Sequence, residues 1–205
     1  TVEINGAVVD IDSPAASARL GISIIYQELN MIPAMTAQQN LFLGREKTSA
    51  GFIDAREERK RALELFDRVG IKVNPNALAR ELSVAQQQGI EIAKALSLDA
   101  KILVMDEPTA ALTTNEVDAL FRVVRDLRSR GLGIIYISHR LDEIFEITDR
   151  ITVLRDGESV GTKVTRDMTR PELIEMMVGR KMDQEFPPRT PKIGGVKLEV
   201  KNLRK

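Results

Sequence analysis

Residues 102–112 (ILVMDEPTAAL) set two carboxylates, Asp106 and Glu107, directly after a run of apolar residues. Such a run makes a buried strand, and the carboxylates emerge at its C-terminal end, the edge at which open α/β sheets bind ligands. An aspartate there can hold Mg²⁺, often through water, because Mg²⁺ keeps much of its hydration and takes one or two carboxylates. The adjacent glutamate points elsewhere and can polarise an attacking water. A plainer reading also exists, in which Asp-Glu-Pro merely starts a turn.

Three further signals share that chemistry. Residues 82–88 (LSVAQQQ) open a helix whose free N–H groups and dipole attract an anion. There Ser83 either offers a phosphate its hydroxyl or simply caps the helix. His139 follows an apolar strand at 134–137, and Gln27 follows another at 22–26. A lone histidine is more often structural than catalytic, and a glutamine after a strand usually has no function. Together, however, three strands end in polar residues suited to a Mg²⁺–phosphate site, and one helix offers a phosphate-binding start.

The elements that must position these residues alternate between strand-like and helix-like, which favours an α/β fold with a parallel sheet. Asn5-Gly6 between residues 2–4 and 7–9 signals a hairpin. Ser13 caps a short helix, and 22–26 is expected as a buried strand. From about 31 to 98 the chain looks helical, with loops. One helix there is capped by Asp54, carries Ala62, Leu65, Phe66 and Val69 on one face and stops at Gly70; the next runs from Ser83 to about Leu98. A strand is expected at 101–105. Thr113 and Glu116 form a capping box for a helix with a stripe of Val117, Leu120, Phe121, Val124 and Leu127. A buried strand at 133–138, a helix at 141–147, a hairpin turning at 155–157 and a helix at 169–178 follow. Residues 183–195 (DQEFPPRTPKIGG) read as a linker, and 196–200 as a fresh strand.

Composition bounds the rest. The 205 residues are 43% hydrophobic and 29% charged, with 30 basic against 30 acidic side chains. Zero net charge provides no long-range field toward nucleic acid or a lipid surface. With no cysteine and one histidine, thiol catalysis, disulfides and multi-histidine metal sites are excluded. No apolar run reaches a membrane span.

In order and wording these motifs resemble the ABC ATPases. The resemblance makes Gln27 the Q-loop glutamine, LSVAQQQ the signature, ILVMDEP the Walker B strand and His139 the switch histidine, with residues 110–113 in the place of the D-loop. It is closer still to the N-terminal half of the tandem ATPase subunits of bacterial monosaccharide importers, through YQELNMIPAMTAQQNLFLGRE, MDEPTAALT and YISHRLDEIFEITDRITVLRDG. Two departures stand out. Val84 and Ala85 replace the two signature glycines, a variant common in sugar importers, and Thr113 replaces the D-loop aspartate.

The resemblance implies a partial ABC cassette at 1–182 with a helical subdomain at about 31–98, a linker at 183–195 and the start of a second cassette at 196–205. It implies ATP and Mg²⁺ as ligands, with Asp106 and Gln27 toward the metal and Glu107, His139 and Gln27 in catalysis. Ser83, Val84, Ala85, Gln86 and Thr113 would contact nucleotide across a head-to-tail pair of cassettes. Membrane permease subunits, fed by a solute-binding protein, would be the partners, at the inner face of the bacterial plasma membrane. A soluble ABC ATPase of repair or translation, or a non-catalytic scaffold, are the rival readings; the former is expected to carry a coiled-coil insertion or basic arms, and the latter has no need of Asp106, Glu107 and His139 together.

No glycine here is followed by lysine, so the motif G-x-x-x-x-G-K-[ST] is absent. The resemblance places that phosphate loop upstream of Thr1, which leads to the expectation of a truncated subunit with apolar surface and an unpaired edge beside the Walker B strand. Three lost charged hydrogen bonds at about 1.5–3 kcal/mol each approach the roughly 8 kcal/mol of a whole micromolar ligand. These 205 residues alone should therefore neither bind Mg-ATP at micromolar affinity, as a calorimetric titration would read, nor hydrolyse it.

Overall fold

A computed structural model of the protein describes residues 1–4, 6–49, 51–179, 195 and 198–201. The chain divides into two compact units, Thr1–Asp149 and Arg150–Lys205.

The first unit opens with the expected hairpin, β1 (Val2–Ile4) against β2 (Ala7–Val9), turning through Gly6 at φ +79°. Helix α1 (Pro14–Arg19) starts where the Ser13 hydroxyl accepts from the Ala16 N–H. Strand β3 (Ile22–Ile25) leads to helix α2 (Ala37–Phe42), the small hairpin β4 (Thr48–Ser49) and β5 (Phe52–Ile53), and helices α3 (Ala55–Val69) and α4 (Val84–Ser97). Strand β6 (Ile102–Asp106), helix α5 (Thr114–Ser129), strand β7 (Gly133–Ile137) and helix α6 (Leu141–Ile147) complete it. The helix ends obey the residues that predicted them. Asp54 accepts from the Glu57 N–H at 3.0 Å to start α3, and Gly70, at φ +73°, ends it in the left-handed conformation. The predicted stripes Ala62, Leu65, Phe66, Val69 on α3 and Leu120, Phe121, Val124, Leu127 on α5 are buried; Val117 is only half-buried.

Strands β3, β6 and β7 form one parallel sheet in that order. Register puts Ile25, Met105 and Tyr136 side by side on one face, with Leu103 and Ile134 behind them. That face packs into a core shared with α4 and α5, through residues such as Ile92, Leu96, Leu120 and Val124.

Two expectations need correction. Strands β3 and β7 are buried on one face only: on the other, Ile24, Ile135 and Ile137 are 44%, 53% and 45% exposed. A parallel sheet ordinarily has both faces covered, and here the helices among the described residues cover one. Nor does β6 carry an unpaired edge, because β3 and β7 flank it; the open edges belong to those two strands.

The second unit is the hairpin β8 (Arg150–Arg155) and β9 (Glu158–Val164), turning at Asp156 and Gly157 with φ +53° and +81°. Paired positive φ values match the twist of a two-residue hairpin. Helix α7 (Arg170–Val178), capped by Thr169 and stopped by Gly179, packs on β8 and buries Leu173. The expected linker lies outside the described residues except for Gly195. Of the strand expected at 196–200, Leu198, Glu199 and Val200 are described and are in no strand, with Leu198 and Val200 exposed; no strand among the described residues pairs with them. Among the described residues no helix is long and apolar enough to cross a membrane.

Candidate functional site

Parallel strands end on a common rim, so the polar residues that follow β3, β6 and β7 are brought together. Gln27 lies two residues past β3, Asp106 is the last residue of β6, Glu107 follows it, and His139 lies two residues past β7. The Glu107 N–H donates to the Ile137 carbonyl at 3.0 Å, prolonging the β6–β7 ladder by one bond. At that point the backbone turns sharply: Glu107 has φ +42°. A non-glycine residue held there costs about 1–3 kcal/mol, and a residue before proline ordinarily prefers extended backbone. The strained turn lifts the Glu107 side chain onto the rim.

That carboxylate is the meeting point. His139 Nδ1 lies 2.8 Å from Glu107 Oε1, and the Gln27 amide Nε2 donates to Oε2 at 3.4 Å. A carboxylate only accepts, so Nδ1 is the donor in this contact and Nε2 is left as the ring's second functional atom. The His139 side chain is 70% exposed and that of Glu107 30%. Asp106 shares the open sheet face with Val104, Ile135 and Ile137, and its half-buried carboxylate makes no hydrogen bond or ion pair with a described residue.

The helix-opening residues do something more local. Ser83 and Gln86 form a reciprocal cap on α4: the Gln86 N–H donates to the Ser83 hydroxyl at 3.3 Å, and the Ser83 N–H donates to Gln86 Oε1 at 3.0 Å. Gln86 Nε2 reaches the Lys72 carbonyl. Capping uses a lone pair of Ser83 and leaves its O–H to donate. Ser83 and Val84 are exposed, and Ala85 and Gln86 half-buried. Neither Ser83 nor Gln86 is bonded to Gln27, Glu107 or His139.

Thr113 likewise starts α5. Its N–H and hydroxyl both donate to Glu116 Oε2, at 2.9 and 2.7 Å, and these bonds hold the Glu116 carboxyl below its ordinary value of 4.5. A depressed folded-state value stabilises above the ordinary one and is lost as pH falls through the lowered one. The Thr113 amide should therefore keep its hydrogen-exchange protection at neutral pH and lose it progressively below pH 4.5.

The family model described as ABC transporter matches residues 1–110. The chain belongs to the ABC transporter family. It is 48% identical over 203 residues to a putative ribose/galactose/methyl galactoside import ATP-binding protein 2 of Agrobacterium fabrum, covering 98% of this chain and 40% of that protein. It is 49% identical over 200 residues to the ribose import ATP-binding protein RbsA 1 of Rubrobacter xylanophilus, with the same coverage. The chain thus spans about 40% of the length of the curated relatives it matches. Among solved structures, the dimeric ATP-binding cassette MJ0796 in a post-hydrolysis state bound to ADP and Pi superposes with a TM-score of 0.64 at 27% identity, over 80% of this chain and 72% of that one. A nucleotide-free ATP-binding cassette from an ABC transporter, at 24% identity, shares the fold with a TM-score of 0.69, over 82% of this chain and 73% of that one.

Within this ABC cassette fold, the oxygen donors on the rim are Asp106, Glu107 and the Gln27 amide oxygen. No group of three or more Asp, Glu or His among the described residues forms a ready-made metal cage. A cavity of about 510 Å³ lies away from the rim, against α2, α3 and β5, where Met35, Phe42 and Ile53 sit beside Gln38 and Glu58. At its polar side Gln38 Nε2 donates to Glu58 Oε2.

Sequence reading missed one constellation entirely. Glu143, on α6, is buried at 4% exposure, yet its carboxylate gathers four side chains. The Thr109 hydroxyl lies 2.7 and 2.8 Å from its two oxygens, Tyr136 O–H donates at 2.9 Å, Ser138 O–H at 3.2 Å, and Arg140 Nη1 is 2.7 Å away. Burial, reinforced by the hydrogen bond to this carboxylate and by its charge, pushes the Tyr136 phenol well above its ordinary range. Nothing in the spacing of residues 109, 136, 138 and 143 announces the cluster; only the parallel register does.

Proposed function

We propose that this chain is part of the ATP-binding subunit of an ABC importer that hydrolyses ATP to drive monosaccharide uptake. One observation carries the reading: Glu107 sits at the sheet rim between His139 and Gln27. It accords with the import proteins to which the chain is nearly half identical over 98% of its length. On this reading residues 1–182 are a partial cassette with a helical subdomain at about 31–98, 183–195 join it to the next, and 196–205 begin a second cassette.

Glu107 acts as general base. Its carboxylate, oriented from two sides by hydrogen bonds, takes a proton from the attacking water. With both ring nitrogens protonated, His139 donates Nε2–H to the γ-phosphate while Nδ1–H stays tied to Glu107. Gln27 spends its amide N–H on Glu107 and keeps its amide oxygen for a cation or water. The rim fits Mg²⁺, whose donors are hard oxygens and which completes its shell with water and phosphate rather than with a protein cage. Asp106, with no partner among the described residues, would hold it through water, and Gln27 would sense it. When bound, the ion neutralises charge on the phosphates. The exposed Ser83 hydroxyl, with Val84, Ala85, Gln86 and Thr113, would meet nucleotide held by a second cassette in a head-to-tail pair.

The partners on this reading are membrane permease subunits, supplied by a solute-binding protein, and the subunit lies at the cytoplasmic face of the plasma membrane. The helical region supports such docking. Hairpin β4–β5 leaves Phe52 and Ile53 80% and 59% exposed, and Ile53 lines the 510 Å³ cavity. Expressed as the full subunit together with its permease subunits, the protein should co-purify with the permease from detergent-solubilised membranes and show ATP turnover stimulated by sugar-loaded binding protein. Phe52→Ser should reduce the permease recovered without lowering the melting temperature. A subunit that purifies free of permease and instead follows nucleic acid would favour a non-transport ABC ATPase.

A further inference from the structure

The proposed site leaves a physical question. The bond between Glu107 and His139 lies at the surface, and exposed pairs of this kind contribute too little to hold two loops in register. The Glu107 N–H bond to the Ile137 carbonyl fixes the backbone only where the two loops begin, so something beneath them must fix where the side chains stand.

We propose that Glu143 is a positioning residue that sets the relative placement of Glu107 and His139. The proposal rests on the reading of Glu107 as general base and deepens it. Thr109 is two residues past Glu107, and Ser138 and Arg140 flank His139; all three bond to the one buried carboxylate. Tyr136, from the body of β7, adds a third hydroxyl. Ser138 is held twice, because its oxygen also accepts from the Arg140 N–H at 3.0 Å. The loop after β6 and the loop after β7 are thus tied to a single side chain on α6. A carboxylate has about four lone-pair directions, and four side chains occupy them. Burying a charge is a poor way to gain stability, since an apolar residue of like size often serves as well. A fully bonded buried carboxylate instead specifies geometry. Here that geometry is the distance from Glu107 to His139.

The test uses the full subunit assembled with its permease. Glu143→Gln keeps the shape but places an N–H₂ among donors. It should lower kcat at least tenfold while KM for Mg-ATP stays within twofold. Thr109→Val, nearly isosteric, should lower kcat in the same way, and Thr109→Ser, which keeps the hydroxyl, should restore it. A residue serving only the fold would instead lower the melting temperature and the active fraction with no serine–valine difference per folded molecule. Equal kcat for the serine and valine variants, or a Glu143→Gln protein with unchanged kcat, overturns the proposal. If Glu143→Gln fails to fold, the Thr109 pair decides alone. An arm independent of turnover is the Nδ1–H resonance of His139, observed with labelled histidine and assigned by His139→Gln. Thr109→Val should move or broaden it, and Thr109→Ser should leave it in place. Full turnover in Glu107→Gln would sink the functional reading, and the resonance would still report whether the buried network sets the spacing; an unmoved resonance overturns the proposal.

Discussion

Glu107→Gln in the intact subunit should cut ATP turnover about 10²–10⁴-fold, the usual contribution of a positioned general base. At about 1.4 kcal/mol per factor of ten this is roughly 2.8–5.6 kcal/mol of lost transition-state stabilisation. Nucleotide binding should stay within about twofold, because the side chain contributes when the water is deprotonated and not when the phosphates are bound. The substitution is close to isosteric. Its amide oxygen can still accept from His139 Nδ1, and Gln27 can rotate its own amide to meet the new N–H₂. The strained turn at φ +42° is a backbone property anchored by the Ile137 carbonyl, so it survives too. Phosphate release against ATP concentration reads both parameters. A rise in KM with kcat intact would assign Glu107 to binding and remove it as the base.

The rim was legible before any coordinates because its logic is local. Each of Gln27, Glu107 and His139 follows an apolar strand, and parallel strands carry whatever follows them to one edge. Caps were legible for the same reason: Asp54, Ser83 and Thr113 each act on residues three positions ahead. What escaped depends on partners distant in sequence. Glu143 is chosen by Thr109 across 34 residues, and no periodicity encodes such a pair. Helix α2 was submerged in a generally helical stretch, since its six residues are too few to show a stripe, although Thr36 and Gln39 form a capping box. Apolar strands suggested burial on both faces, but hydrophobicity states only that a face should be covered. Ile24 and Ile135 are apolar and yet half exposed, because no element among the described residues covers that face. Likewise β6 proved central where an edge was expected, because strand order is set by crossovers.

Phe121→Ala should destabilise the first unit by about 3–5 kcal/mol, the cost of removing a buried aromatic ring whose cavity does not fully collapse. Phe121 is 2% exposed, on the stripe by which α5 packs against the sheet. Its ring meets Tyr136 of β7 edge-on, with centroids 6.2 Å apart and planes at 74°, and the Arg125 guanidinium lies 5.9 Å from it. The aromatic contact adds about 0.5–1.5 kcal/mol beyond area, and the cation about 0.5–1 kcal/mol. Against a typical total of about 5–15 kcal/mol this is a large fraction. Phe121→Leu, which keeps the apolar contact with the core and loses only the ring, should cost much less than the alanine. The chain has no tryptophan and two tyrosines, and since Tyr26 is already 53% exposed, the change in tyrosine fluorescence during urea denaturation comes mainly from Tyr136. Because Tyr136 also donates to Glu143, its ring is pinned from both sides, by Phe121 and by the buried carboxylate. Followed by circular dichroism, which needs no tyrosine, Phe121→Ala and Tyr136→Leu should accordingly be non-additive, coupled by about 0.5–1.5 kcal/mol. Strict additivity of the two would mean that α5 and β7 do not meet through these rings.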